Sequence, residues 1–552
     1  LGLIHGLRTD NIRGDIYGGI TAAIVALPLA LAFGVASGAG PIAGMYGAIF
    51  VGLFAALFGG TPSQISGPTG PMTVVMGAII TDFVARDPEY GMSLAFTVVM
   101  LGGLFQIMMG VMKLGRYISL VPFPVVSGFM SGIGFIIILI QIGPFLGHPA
   151  PAGGPLASML SIPEFVLHTH NQTLILGLLT LAIVCFLPNR INQLVPAPLL
   201  ALLVGTLTLL YIFPGSGVTT LGTIPTGLPT PHLPIFRLDL LLDMIKAGFT
   251  LALLGAIDSL LTSLVADNIT RTHHDSDREL VGQGIGNLIG GLFGGLPGAG
   301  ATMRTVINVR AGGNTPISGV LHAFVLLSIV LGAGSLAENI PHAVLAGILI
   351  KVGIDIIDWD FFKRIRTTSR PAIALMATVL LITVFVDLIT AVAVGVIGAS
   401  MLLVNRMAAL QLENMKIFTS VDETISLSDV EKDLFQQARE QILLCHLTGP
   451  LSFGAAKGMT RRLASFDRYQ ILLLDLTNVP TMDFTSSKAI EDIIHDASGT
   501  GRLVYLVGLG AQTVQALARV GIPHNISNTY LFQSRRDALE QALRNMQQPT
   551  AT

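Results

Sequence analysis

Apolar runs separated by short polar connections fill the first three quarters of the chain. Runs long enough to cross or enter a bilayer fall near 15–37, 41–59, 67–82, 92–112, 118–142, 173–187, 195–213, 240–266, 280–294, 301–311, 316–333, 341–357, 371–387 and 388–405. This pattern predicts an α-helical polytopic membrane protein of fourteen transmembrane segments. Lys113, Arg116, Arg190, Arg271, Arg278, Arg310, Lys363, Arg364, Arg366, Arg370 and Arg406 follow even-numbered runs, whereas the other connections carry only Arg86 and Arg237. Because Lys and Arg collect on the cytoplasmic side, both termini are expected in the cytoplasm and the chain in the cell inner (plasma) membrane. The segment from Arg8 to Arg13 lacks the small-residue cleavage site of a signal peptide, so the first run is expected to stay in the membrane.

After position 420 the period changes. Ile442-Leu443-Leu444-Cys445-His446-Leu447 and Ile471-Leu472-Leu473-Leu474-Asp475-Leu476 read as buried strands, with helical patterns at 453–465, 484–498 and 534–546. That alternation predicts a compact cytoplasmic α/β domain over 413–552, following a membrane transport domain over 1–412. Thr485 and Ser486 then lie near a helix N-terminus, where capping is the better reading and phosphate acceptance the weaker one.

Two of the membrane runs are short. From Thr69 the third has about 14 residues before Asp82, roughly 21 Å of helix against a hydrocarbon core of about 30 Å. The tenth, from Ala301 to Arg310, is shorter still. Phe58-Gly59-Gly60-Thr61-Pro62 precedes one and Phe293-Gly294-Gly295-Leu296-Pro297 the other, and Gly19-Ile20-Thr21 is echoed by Gly248-Phe249-Thr250. The halves thus read as inverted repeats of seven segments each, about 14–213 and 238–405, because an odd number of spans returns the second half on the opposite side.

If the short runs are half-helices entering from opposite faces, their N-termini meet near the midplane at Thr69-Gly70 and Ala301-Thr302. Free N–H groups and the positive ends of two helix dipoles would attract a small anion there. Gly67, Gly70, Gly298 and Gly300 carry no side chain to hinder close backbone approach, and Pro68 and Pro71 suit a helix start. Asp258 is the carboxylate that stands well inside a long apolar run, so it needs a cation, a proton or a donor. Thr262 is four positions on and shares its helical face. With carbonyls from Gly298-Ala299-Gly300-Ala301 these would make a hard oxygen site suited to sodium. Arg304, just inside the second half-helix, reads equally as an anion attractor, a partner of Asp258 or a cation snorkelling to the boundary. Lys351 and Asp355 are spaced for a structural ion pair, and Asp387 and His322 read as structural.

Composition narrows the function classes. Of 552 residues, 51% are hydrophobic and 12% charged, with a mean hydropathy of +0.71. Residues 406–552 hold 14 Lys+Arg and 15 Asp+Glu, nearly half of the totals of 31 and 33, which marks the change from membrane to soluble composition. A net charge of −2 provides no basic field for nucleic acid. Cys185 and Cys445 form no disulfide framework, and no HExxH, phosphate loop or cluster of His, Cys and carboxylates appears in the membrane part, so an enzyme is not expected.

Gly300-Ala301-Thr302-Met303-Arg304-Thr305-Val306-Ile307-Asn308-Val309-Arg310-Ala311-Gly312, Thr315-Pro316-Ile317-Ser318-Gly319 and the stretch from Asp475 to Ser487 resemble the SulP, or sulfate permease, family of anion transporters over nearly the whole chain. Gly300, Arg304, Asn308 and Ala311-Gly312 match the family pattern. The resemblance implies fourteen segments in core and gate domains, a carboxy-terminal STAS domain and a homodimer. Within the family the chain is most similar to the cyanobacterial sodium-dependent bicarbonate transporters. That likeness implies anion contact at Thr69, Gly70, Ala301 and Thr302, the family's membrane carboxylate at Asp258, and a pocket aromatic at Phe33. Leu29 follows Pro28 where many relatives have Gln, and Thr485-Ser486 stand where phosphorylation-regulated STAS domains have Ser-Gly.

The expected function is sodium-coupled bicarbonate symport by alternating access, with sodium co-transported at Asp258, Thr262, Gly300, Ala301 and Thr302 and the anion at Thr69, Gly70, Ala301, Thr302, Phe33 and Arg304. Its rivals are a proton-coupled sulfate or dicarboxylate transporter of the same fold and a membrane-anchored signalling receptor.

Overall fold

Each of the fourteen apolar runs is a helix. The computed structural model describes residues 4–118, 122–151, 154–192, 195–222, 229–386, 388–420, 427–522 and 529–547. The helices are α1 Ile12–Ala36, α2 Pro41–Phe58, α3 Gly70–Arg86, α4 Gly91–Val111, α5 Phe123–Leu146, α6 Asn171–Phe186, α7 Ala197–Tyr211, α8 Leu241–Thr270, α9 Ser276–Leu292, α10 Thr302–Arg310, α11 Pro316–Ala337, α12 His342–Ile356, α13 Arg370–Phe385 and α14 Leu388–Asn414. Short helices at Gly115–Ile118, Gly154–Leu167, Asn189–Asn192 and Trp359–Lys363 were not anticipated from the pattern. Among the described residues six helices are each long and apolar enough to cross a bilayer, and Gly154–Leu167 with α6 forms a further pair bent by 117°.

The third segment is longer than its sequence suggests. Helix α3 continues past Asp82 to Arg86, 17 residues in all, because Arg86 reaches back one turn to Asp82 at 3.0 Å and also meets Asp243 at 2.7 Å. Charge placed at the helix end is thereby paired rather than helix-breaking. The tenth keeps the expected brevity, 9 residues.

Chain contacts divide the protein into two compact units, Leu1–Val396 and Ile397–Thr552. Within the first, α4, α9, α2 and α8 pack closely and α1, α11, α10 and α3 join them, while α5, α12, α13, α6 and α7 form a second bundle. Small residues make the close packing possible. A Cβ added to Gly103 of α4 would stand 2.4 Å from the Leu288 amide nitrogen of α9.

Between the helices lies a two-residue ribbon. Strand β1 (Ser66–Gly67) pairs antiparallel with β2 (Ala299–Gly300), Ser66 opposite Gly300 and Gly67 opposite Ala299. The lead-ins to α3 and α10 are thus hydrogen-bonded to each other, and the chain leaves the ribbon in opposite directions toward the two helices.

The second unit is an α/β domain with strands β3 Lys416–Phe418, β4 Ile442–Thr448, β5 Ile471–Asn478, β6 Leu503–Val507 and β7 Thr529–Phe532 in spatial order 3-4-5-6-7. Strand β3 is antiparallel to β4 and the other pairs are parallel. Helices α15 Asp429–Gln437, α16 Phe453–Leu463, α17 Phe484–Gly499, α18 Ala511–Ala518 and α19 Arg535–Gln547 complete it. Leu443, Cys445, Leu472 and Leu474 pack with α16 and α17, whereas Leu444, Leu473 and Tyr505 pack with α15 and α19. Cover on both faces explains the unbroken apolar runs in β4 and β5. The expected capping role of Thr485 or Ser486 is corrected. Asp483 caps α17 by accepting from the Ser486 amide at 2.8 Å and also accepts from the Phe453 amide at 2.6 Å. Thr485 and Ser486 lie two and three positions past that cap, inside the first turn of the helix; Thr485 is exposed and Ser486 buried.

Candidate functional site

Helix α8 carries a polar stripe, Asp258, Ser259, Thr262 and Ser263, in an otherwise apolar stretch, and a spacing of four keeps it on one face. The stripe touches both lead-ins. Thr69, the N-cap residue of α3, donates its hydroxyl to Asp258 Oδ2 at 2.8 Å. One turn later Thr262 Oγ1 donates to the Gly300 carbonyl at 2.9 Å and lies 2.7 Å from Thr302 Oγ1, in the first residue of α10. Ser259 Oγ accepts from the Gly300 amide at 3.0 Å, and Ser263 donates to Gln64 at 3.0 Å. The starts of both short helices are therefore held by residues one turn apart on a single helix. Asp258 is 7% exposed, and its Oδ1 accepts no hydrogen bond among the described residues. Asp258 supplies a carboxylate, and one turn along α8 the cluster of Thr262, Thr302 and the Gly300 carbonyl supplies two hydroxyls and a carbonyl, oxygens of the kind hard monovalent or divalent cations take.

Helix α9 pins the lead-ins from the other side. Glu279, Gln283 and Asn287 recur every four positions and are all buried. Glu279 accepts from the Gly60 and Thr61 amides, both at 2.9 Å, from Gln64 Nε2 at 2.7 Å and from Gln283 Nε2 at 2.8 Å. Gln283 also donates to Ser66 at 2.6 Å, and Asn287 both donates to the Gly298 carbonyl at 2.9 Å and accepts from its amide at 2.7 Å. Sequence reading passed over this stripe. The signal was present, a Glu-Gln-Asn series at helical spacing in a glycine-rich run, and it means that Asp258 is not the one carboxylate buried in the membrane unit. Asp15 is a third, accepting from the Asn314 and Thr315 amides, both at 2.9 Å, and from the Thr315 hydroxyl at 2.8 Å. Glu279 and Asp15 are saturated by structural donors, whereas Asp258 keeps an open oxygen.

Arg304 is 2% exposed and donates to the Pro68 carbonyl at 2.5 Å. That burial rules out snorkelling. Its guanidinium straps α10 to the α3 lead-in and stands near enough to Asp258 for their charges to interact. Two of the glycines expected to bare backbone for a ligand serve the protein instead. Gly67, at φ +150°, would drive a Cβ to within 2.8 Å of Arg304 Nη1, and a Cβ on Gly298 would come within 2.6 Å of the Gly67 carbonyl carbon.

Gly70 is packed against Ile137 and Ile356, whose Cδ1 atoms a Cβ there would meet at 2.8 and 2.7 Å. With Phe33, Thr73, Ile137, Gln141 and Thr383 its backbone borders a cavity of about 760 Å³ between the two bundles of the first unit. The α3 amides of Gly70 and Met72 have no acceptor within the helix, as at any helix start. Ala301 does not add its amide, which is donated to the Ile65 carbonyl at 2.9 Å. Thr302 is exposed but does not border this cavity. Of the other polar residues in the apolar runs, Lys351 pairs with Asp355, His322 is buried and Asp387 lies outside the described residues.

Comparison with known proteins fits this geometry. The sulfate permease family model matches residues 12–379 and the STAS domain model residues 436–538. The chain is 47% identical over 485 residues, 88% of its length and 86% of the relative's, to the bicarbonate transporter BicA of Synechocystis. It superimposes on the transmembrane domain of a cyanobacterial bicarbonate transporter BicA with a TM-score of 0.67 at 49% identity, covering 70% of this chain and 99% of that one. The fold also matches the murine Slc26a9 anion transporter in its inward-facing state, TM-score 0.83 at 20% identity over 98% and 92% of the chains. With two short helices meeting at a ribbon, a cavity between two bundles and an α/β domain after the membrane unit, the chain belongs to the sulfate permease family of membrane anion transporters that carry a carboxy-terminal STAS domain.

Proposed function

We propose that the protein imports bicarbonate together with sodium by alternating access, the bundle that holds α3, α8 and α10 moving against the bundle of α5, α12 and α13. The observation that carries this reading is the link from Asp258 to Thr69 and from Thr262 to Thr302. A cation on the oxygens of Asp258, Thr262, Thr302 and Gly300 would sit at the starts of both short helices and offset the carboxylate's repulsion of an anion at Gly70, so each solute improves the other's affinity. Energetics favour the pairing. Moving one anion inward against 100 mV, inside negative, costs about 2.3 kcal/mol, and an accompanying sodium cancels that term. The 47% identity to a bicarbonate transporter supports the choice of anion. Cytoplasmic termini, supported by the distribution of Lys and Arg, placement in the inner membrane and a homodimer involving the STAS domain belong to the same proposal.

The test is uptake of labelled bicarbonate into proteoliposomes at fixed pH, with external sodium present or replaced by choline. Sodium is expected to raise the initial rate at least tenfold; equal rates in the two salts would overturn the coupling. Flux driven by a proton gradient and inhibited by sulfate would instead assign the proton-coupled reading. Replacing Thr302 by Val removes the hydroxyl shared with Thr262 while keeping the shape. Half-saturation for sodium and bicarbonate should each rise about fivefold, the size of one lost hydrogen bond, measured in the same assay. Unaltered affinities would remove Thr302 from the site.

A further inference from the structure

Among the described residues the cavity beside Gly70 is lined by one charged side chain, Asp82, which pairs with Arg86, and by no Lys or Arg. Its hydroxyls are committed. Ser37, Thr73, Thr81 and Thr383 each donate to a carbonyl three or four positions back on their own helix, at 2.9, 2.7, 2.8 and 2.7 Å. Gln141 of α5 differs. It is 5% exposed, borders this cavity and the adjoining one of about 320 Å³, and its carboxamide has no hydrogen-bond partner among the described residues. A buried amide costs free energy unless something in the cavity satisfies it.

We propose that Gln141 is a specificity-determining contact, completing from the facing bundle the anion site begun by the N-terminus of α3, and that it reads the hydroxyl of bicarbonate. The inference rests on the bicarbonate reading and deepens it. A carboxamide offers an N–H donor and a carbonyl acceptor side by side. Bicarbonate presents the complement, an anionic oxygen that accepts and an O–H that donates, so two parallel hydrogen bonds form. Nitrate has the same planar shape and charge but no proton, and sulfate has acceptors only and twice the charge. Against either one the Gln141 carbonyl faces an oxygen lone pair and stays unpaired, and sites built to bind a hydroxyl reject analogues without it. Because Gln141 and Gly70 stand on different bundles, both hold the anion only while these are close, which ties recognition to the moving interface.

Gln141→Leu and Gln141→Met remove both hydrogen-bonding groups at nearly constant volume. In proteoliposomes, with sodium saturating, the bicarbonate KM is expected to rise about tenfold in each variant. The ratio of the nitrate inhibition constant to that KM should fall by a similar factor, with sodium half-saturation unchanged when it is measured at saturating bicarbonate. Either variant with wild-type KM and undiminished discrimination against nitrate would overturn the proposal, and so would a loss of sodium affinity at saturating bicarbonate as large as the loss for bicarbonate at saturating sodium, which marks a packing role. A variant that fails to insert is replaced by the other, and failure of both would likewise assign Gln141 to packing. Absence of bicarbonate uptake by the unaltered protein strikes the functional reading itself, whereas uptake by the unaltered protein with indifferent variants strikes only the role of Gln141.

Discussion

Replacing Asp258 by Asn is expected to raise the sodium concentration for half-maximal uptake about 10- to 100-fold while leaving the protein folded, the range given by losing a charge-assisted contact. The asparagine Oδ1 can still accept from the Thr69 hydroxyl, so the tie between α8 and α3 survives. What disappears is the negative charge, and with it the strongest ligand for a cation and much of the coupling between cation and anion. Sodium-jump uptake in proteoliposomes measures the first effect, and thermal unfolding of the detergent-solubilised protein controls for the fold. A variant with normal melting and unchanged sodium dependence would remove Asp258 from the site.

Glu279→Ala should fail in the opposite manner, losing the fold before the function. Four buried donors, the Gly60 and Thr61 amides and the Gln64 and Gln283 carboxamides, converge on this carboxylate. Truncation orphans all of them at about 1–3 kcal/mol each in a soluble interior, and about 0.6 kcal/mol each where alternatives exist within the membrane. Even the lower figure totals more than 2 kcal/mol, enough to release the Gly59-to-Gly67 lead-in and the ribbon. The expected result is little monodisperse protein on size-exclusion chromatography. Glu279→Gln should be intermediate, since its amide oxygen can still accept from Gly60 and Thr61. A well-folded, active Glu279→Ala would show that the α9 stripe does not hold the lead-ins.

These two carboxylates show how far local pattern carries. Asp258 drew attention because apolar residues surround it in the chain; Glu279 lies beside Asp275, Asp277 and Arg278 and reads as the polar end of a segment. Only packing reveals that Glu279 is buried. The same holds for Arg304, whose three readings were inseparable along the chain and which the fold resolves by placing it against the Pro68 carbonyl.

Chain order alone determined the fourteen helices, the short tenth segment, the shared face of Asp258 and Thr262, and the strands β4 and β5. Each follows from interactions between near neighbours, from the length of an apolar run, or from a period of 3.6 or 2 residues. The tertiary structure decided which lead-in meets which helix: the ribbon of Ser66 and Gly300, the pins from Glu279 and Asn287, the saturation of Asp15, and the amide of Gln141, unpaired among the described residues. Such pairings join positions hundreds of residues apart, and no local propensity encodes them. They are set when buried polar groups, shut off from water, must find partners among whatever the packed helices bring within reach.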